Sequence, residues 1–387
     1  MEVAVDDLSA NLRRPIEFWQ KRLAPSAPVS PVRLLPGPVP IAKSVERAFA
    51  EPPIYHREVE FHELFRQVRS QLSQMVAAAH TAIFVGGGTL ANDIVAATLA
   101  AMPGAQSGLV LVNGEFGQRL VRHAHRSGLS PRVLSWPWGQ AWQLDEVARA
   151  MDRLPPSGWV WGVHQETSTG VLNDLPGLMR LARARGLRVC VDCISSVGAV
   201  PLDLSQAHLA TGSSGKALGS YAGLAFVFAD PAKLATANVD RIPSSLDLRS
   251  ALVNAGPLST IPSPLVKALA AALAPYSTPE LAQQRYGHYA DLGALVRQRL
   301  SAAGLEPLAP ESCASPVITT FEPPNGATSA EFVARCSGWG FEIAGHSDYL
   351  TQRNLVQIAT MGNVSRKDCL RFFDHLACDQ PIAGTAS

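Results

Sequence analysis

Charge of one sign is what this 387-residue chain most lacks: 33 Lys and Arg stand against 32 Asp and Glu, a formal net charge of +1. Such a chain has no electrostatic footprint for a phosphate backbone, which argues against a nucleic-acid partner. Charged residues of either sign are scarce at 17%, whereas 47% of residues are hydrophobic. That ratio excludes disorder and supplies a sizeable core. Long apolar runs are also missing. The best candidate, 81–105, is interrupted by Gly86, Gly87 and Gly88 and by Asn92-Asp93. A spanning helix needs about 20 predominantly apolar residues, so no membrane association is expected. Residues 1–14 carry Glu2, Asp6 and Asp7 and no apolar stretch, so no secretory signal is expected. Cysteine is sparse, with six in the chain. Cys190 and Cys193 form a C-x-x-C, but within the run 187–194, which reads as a strand. There, residues three apart face opposite sides. No second C-x-x-C and no C-x-x-H follows. The expectation is no metal site, and buried free thiols in a reducing cytoplasm.

What is present is alternation. At roughly 150 residues per domain, the length suggests two domains, or one large and one small. Residues 1–44 read as an arm, with an amphipathic helix at 16–23 and a Pro/Ser stretch at 24–31. Its segment Leu34 to Pro38 is too proline-rich for a helix or a central strand. Helices are expected at 60–79, 90–102, 117–127, 144–154 and 175–185. Strands are expected at 81–85, 109–113, 133–136, 159–164, 187–194 and 222–229. Alternation of this kind implies βαβ units and a mostly parallel sheet covered on both faces, in a large domain over 45–274. Helices at 264–274 and 281–303 then lead into a strand, helix and strand at 315–321, 331–338 and 356–361. These make a smaller α/β domain over 275–387. No internal repeat is present.

Four short segments stand at strand-to-loop transitions, where open parallel sheets bind ligands. Gly86-Gly87-Gly88-Thr89 precedes a helix, whose N-terminus offers free N–H groups to a phosphate. Its letters also fit G-x-G-x-x-[GA] with Ala91 last, so a plain turn and a nicotinamide-dinucleotide site are both open readings. His164 to Gly170 sets buried hydroxyls and a carboxylate after a strand, and these need partners. Asp192 ends an apolar strand, an unfavourable place for a charge unless a cation meets it. Lys216 lies among small residues at 211–217. It fails the phosphate-loop pattern, because Ala210 holds the first Gly position and Ala217 follows the lysine. Taken alone it is an exposed loop lysine. Together the four segments match the needs of pyridoxal phosphate: a phosphate cradle, an acid for the pyridine nitrogen and a lysine for the Schiff base.

The sequence also resembles the class V aminotransferases of the fold-type I pyridoxal-phosphate superfamily, over about residues 34–364. It is most similar to 2-aminoethylphosphonate:pyruvate transaminases, then to alanine/serine:glyoxylate transaminases. The shared pieces begin with L-x-P-G-P at 34–38, H-R-x-x-E-F at 56–61 and the glycine turn. They continue with N-G-x-[FWY]-G at 113–117, H-x-E-[TS]-[TS]-T-G at 164–170 and V-D-x-x-S-S at 191–196. S-S-x-K at 213–216, S-L-D-L at 245–248 and T-x-P-S at 260–263 complete the set. The resemblance implies catalytic roles for Lys216, as the Schiff-base lysine, and Asp192, paired with the pyridine nitrogen. Ile194 and Phe116 would flank the ring, and Thr167 would meet its phenolic oxygen. Gly87, Gly88, Thr89 and Ser214 would hold the phosphate from one subunit. Thr260 would reach it from the other, in a homodimer with shared active sites.

One departure bears on substrate. The family segment F-R-I-G-x-[MIL]-G reads Val356-Gln357-Ile358-Ala359-Thr360-Met361-Gly362 here. The family's arginine clamps the substrate's acid group, and a neutral Gln357 cannot form that bidentate pair. Arg353 and His346 are nearby in sequence, and Arg57 joins them as a substrate-side candidate. Gly215 also replaces the family's Asn or Gln. The expected reaction is transamination of a primary amine to an oxo acid, through a Schiff base and a quinonoid. The alternative is β- or γ-elimination, replacement or carbon–carbon bond formation on an unusual substrate, as suits specialised metabolism. A nicotinamide oxidoreductase gives no role to Thr167, Asp192 and Lys216 together, and an intact Lys216 argues against a silent binding protein.

Overall fold

The computed structural model describes residues 31–379. The helix expected at 16–23 lies outside them. The strands are β1 (Val32–Leu34), β2 (His80–Gly86), β3 (Gly108–Val112), β4 (Arg132–Ser135), β5 (Trp159–Val163), β6 (Gln165–Glu166), β7 (Val171–Leu172), β8 (Arg188–Asp192), β9 (Leu209–Ser213), β10 (Gly223–Ala229), β11 (Ile318–Phe321), β12 (Phe341–Ile343) and β13 (Val356–Ala359). In the large part the helices are α1 (Lys43–Ala50), α2 (Val59–Met75), α3 (Gly88–Ala100), α4 (Glu115–Arg126), α5 (Leu144–Met151), α6 (Leu175–Arg183), α7 (Leu248–Val253) and α8 (Ser263–Ala272). The remainder are α9 (Pro279–Ala302), α10 (Ser329–Gly338), α11 (Asp348–Thr351) and α12 (Arg366–Asp379).

Seven strands form the main sheet in the order β2-β10-β9-β8-β5-β3-β4. β10 runs antiparallel to both its neighbours, and every other pairing is parallel. Six strands therefore point the same way, and their carboxyl ends share one edge. Alternate residues face opposite layers, as the two-residue period of a strand demands. Val189 and Val191 join a core packed by Phe61, Phe65 and Leu72 of α2. Cys190 joins the other core, with Ile94 and Leu99 of α3 and Leu120 of α4. Cys193 lies in the first core and Cys190 in the second, so the C-x-x-C straddles the sheet. Both thiols are free, and burial pushes both upward.

Helix α2 buries Phe61, Phe65, Val68 and Leu72, one stripe of a 3.6-residue period. Each such side chain contributes about 1.5–3 kcal/mol by leaving water. Helix α6 starts where Asp174 accepts from Gly177 N at 2.8 Å. A second body packs α9, α10 and α12 against β11, β12 and β13. Leu34 is part of that cluster, and β1 pairs with β12, so the segment 32–34 is integrated with the C-terminal elements. A small cluster of Val39, Ala217, Tyr289, Ala359 and Met361 joins the two bodies beside Lys216. Among the described residues, no helix is long and apolar enough to cross a membrane.

Candidate active site

Strand β2 ends at Gly86 and α3 begins at Gly88. The N-cap Gly87 makes no side-chain cap hydrogen bond, so the first turn keeps N–H groups for another acceptor. Gly88 and Thr89 line a cavity of about 250 Å³ at the carboxyl edge of the sheet. A Cβ on Gly88 would stand 2.5 Å from Ile194 Cδ1, so the helix start can approach Ile194 only as glycine. Gly87 faces open space, with nothing within 4 Å of a Cβ.

Asp192 ends β8 on the cavity wall, 3% exposed. Its Oδ2 accepts from Asn92 Nδ2 at 2.8 Å, and its Oδ1 from Ile194 N at 2.9 Å. The second bond turns the chain, which is why the strand stops at Asp192 rather than running to 194. Burial raises the carboxyl above its usual range. Asn92, Ile194 N, His123 and Lys216 pull the other way. Asn92 is itself fixed by Thr211, whose hydroxyl donates to Asn92 Oδ1 at 3.1 Å. His123 lines the same cavity, its Nδ1 2.6 Å from Asp93 Oδ1.

Lys216 leaves β9 through a short turn and lines the cavity. Burial lowers its ammonium to about 8, against the opposing pull of Asp192. A Cβ on Gly37 would lie 3.2 Å from Lys216 Nζ, so the proline-glycine segment packs directly over the amine. Gly215 backs onto Ala222, 2.7 Å from any added Cβ. Ser214 is fully buried and does not line the cavity. Its hydroxyl donates to Tyr221 O at 2.6 Å.

Phe116 is set by a carboxylate. Glu166 is fully buried at the start of α4 and accepts from Gly117 N at 2.9 Å, Phe116 N at 3.3 Å, Ser168 N at 3.1 Å and Ser168 Oγ at 2.5 Å. Burial raises this carboxyl, and the four hydrogen bonds oppose it. An anion at a helix N-terminus is favoured by the dipole as well. Phe116 then lines the cavity, as does Thr167, whose Oγ1 is 2.5 Å from Ser195 Oγ. Gln165 donates to Ser195 O at 2.8 Å, and its own buried Oε1 has no protein partner.

The substrate-side candidates are arranged otherwise than their sequence positions suggest. Gln357 is fully buried. Its amide donates to Thr167 O at 2.6 Å and to Thr320 Oγ1 at 2.8 Å, and it does not line the cavity. The Arg353 guanidinium lies 3.8 Å from the ring centroid of Trp138. Arg57 and His346 are exposed and absent from the cavity wall, as is Thr260. A cation does line it, Arg119 of α4. Sequence reasoning missed Asn92, His123, Arg119 and Gln165. Helical spacing carried the signal for two of them: Asn92 lies four residues after Gly88, and Arg119 three after Phe116.

These residues fit pyridoxal phosphate. An uncapped helix start suits the phosphate, a buried carboxylate held by neutral donors suits a protonated pyridine nitrogen, and a buried amine suits the aldehyde carbon. Comparison with known proteins agrees. The family described as Aminotransferase class-V matches residues 44–238. A 2-aminoethylphosphonate–pyruvate transaminase of Pseudomonas putida is 29% identical over 347 residues, covering 87% of this chain and 93% of the relative. A Synechococcus protein named as the small subunit of a soluble hydrogenase is 30% identical over 349 residues, covering 87% and 89%. The crystal structure of an alanine–glyoxylate aminotransferase from Nostoc superposes with a TM-score of 0.82 at 26% identity, covering 92% of this chain and 96% of that one. The chain belongs to the class-V aminotransferase family and is a pyridoxal-phosphate-dependent transferase of fold type I.

Proposed function

We propose that Lys216 is the residue that binds the cofactor covalently, that Asp192 holds its pyridine nitrogen protonated, and that the enzyme exchanges the amino group of a small primary amine with an oxo acid. The observation that carries this reading is the convergence of Lys216, Asp192 and the uncapped start of α3 on one cavity. Pyridoxal phosphate supplies an aldehyde for amine exchange and a ring that accepts electrons from the substrate's α-carbon. Lys216, with its ammonium lowered to about 8, has a substantial neutral fraction near neutral pH and can both attack a carbonyl and carry a proton. Phe116 and Ile194 line the cavity and would flank the ring. The N–H groups of Gly88 and Thr89 would serve the phosphate, with Gly87 leaving the approach open. The Thr167 hydroxyl, fixed by Ser195, would meet the phenolic oxygen.

Ser214 supports that site through the backbone at Tyr221 rather than by a free hydroxyl. Thr260 would serve the phosphate from a second copy, in a homodimer with shared sites. Support comes from exposed apolar side chains on adjoining segments. Val253 and Leu258 lie on the stretch that Arg69 anchors through Leu252 O and Asn254 O, and Val59 opens the same helix as Arg69. The six free cysteines suit a reducing cytoplasm.

The test is borohydride reduction of the purified protein loaded with cofactor, followed by peptide mapping. The label is expected on Lys216 and absent from Lys216→Ala. The rate of covalent uptake by apoprotein should rise with pH through about 8, because the neutral amine attacks and its fraction grows as the ammonium deprotonates. Label on another lysine refutes the assignment.

A further inference from the structure

We propose that Arg119 is the residue that receives the acid group of the substrate. The inference rests on the reading that the cavity holds pyridoxal phosphate over Lys216. The position where a clamp was expected holds a neutral amide that does not line the cavity, and both amide hydrogens of Gln357 are committed to Thr167 O and Thr320 Oγ1. Arg353 is held against Trp138. Among the described residues that line the cavity, Arg119 is the permanent cation, since burial lowers the Lys216 ammonium to about 8 and that amine is reserved for the carbonyl.

The geometry of Arg119 suits a bidentate partner. Its guanidinium carbon lies 4.7 Å from the centroid of the Phe116 ring, and its Nε donates to Glu115 Oε1 at 3.1 Å. Those two contacts fix the plane of the fork. Among the described residues its two terminal amino groups make no hydrogen bond, and these are the groups that pair both oxygens of a carboxylate or phosphonate. Glu115 does not neutralise the site. It accepts from Arg122 at 2.7 Å as well, so one carboxylate serves two guanidiniums and a net positive charge remains. The charge of Arg119 is also felt at Lys216, whose ammonium it helps to lower. The start of α4 is pinned by Glu166, and Arg119 follows one turn later, so the cation is placed by a rigid element. Substrates of this enzyme would then be amines and oxo acids bearing a carboxylate or phosphonate.

The experiment titrates holoenzyme calorimetrically with propionate and with methylphosphonate, using propionamide as the neutral control. The wild type should bind both anions in preference to the amide. Arg119→Gln should weaken both by about tenfold or more, and Arg119→Lys less, since charge remains without the fork. Pyridoxal-phosphate affinity of the apoprotein, followed by quenching of tryptophan fluorescence, should stay within about threefold, and the melting curve should be unchanged because Arg119 is half exposed on a helix surface. Anion affinity equal in wild type and Arg119→Gln overturns the proposal. So does a parallel loss of cofactor affinity, which would assign Arg119 to the cofactor's phosphate. Failure of the wild type to take up cofactor, seen before any anion is added, overturns the cofactor reading and this proposal together.

Discussion

The exposure of Asp192, at 3%, decides how its replacement behaves. Two neutral donors, Asn92 Nδ2 and Ile194 N, converge on its two oxygens. Asp192→Asn keeps the shape but sets an amide NH2 against one of those donors. A buried donor left without an acceptor costs about 1–3 kcal/mol, so a fall in stability of that size is expected in urea melts. Activity should fall much further, by orders of magnitude, because the charge proposed to keep the pyridine nitrogen protonated is gone. Near-normal turnover in a folded Asp192→Asn protein would contradict the proposed role. The type and position of this residue were legible in the sequence, because an acid at the end of an apolar strand needs an explanation. Its partners were not: Asn92 is one hundred residues away in the chain and joins it only through the fold. Arg119 escaped for a different reason. An arginine on an amphipathic helix looks like any solvated charge until the fold brings its helix to the cavity.

At the scale of elements, the β2–α3 junction makes a prediction that separates two adjacent glycines. Gly88→Ala would place a Cβ 2.5 Å from Ile194 Cδ1 and 2.9 Å from Cγ1 and Cγ2, and the Ile194 side chain would have to shift. Overpacking of this kind costs about 1–3 kcal/mol. Gly87→Ala meets open space, so its cost should stay within about 1 kcal/mol, from the weaker N-cap preference of alanine. Denaturant melts of the two variants test the order, and equal losses would refute the steric account. Elements with a clear period were readable: α2, α3, α6 and the strands around them lie within a few residues of where the pattern puts them. Strand β9, Leu-Ala-Thr-Gly-Ser, is absent from the strands that the sequence pattern predicts. Its small polar residues are those of a central strand that ends in the site, and they hide the alternation. Helix α12 was also missed, though Cys369, Phe372, Phe373 and Leu376 keep helical spacing.

For the molecule as a whole, the sequence disclosed a large parallel-sheet body followed by a smaller one, and left their joint invisible. That joint passes through Gln357, which ties β13 to Thr167 of the large body, and through Tyr349, whose ring meets Phe116 edge-on at 6.2 Å. Neither contact has a local signature. The same limit applies to the proposed second subunit. Thr260 is exposed and off the cavity wall of its own chain, so a phosphate contact from it requires a partner's cavity. Complementation tests this directly. Thr260→Ala homodimers should bind pyridoxal phosphate more weakly than wild type, by about the tenfold that one or two kcal/mol of a phosphate hydrogen bond represents. On the proposed assignment, a Lys216→Ala subunit would not fix the cofactor but would still offer its Thr260. Mixed dimers of the two variants therefore contain one site with an intact Lys216 and a Thr260 donated from across the interface. That site should regain wild-type affinity and accept borohydride label on the Thr260→Ala chain. The opposite site should remain unlabelled. If mixing restores nothing although the subunits exchange, Thr260 acts within its own chain or not at all, and the shared-site arrangement fails.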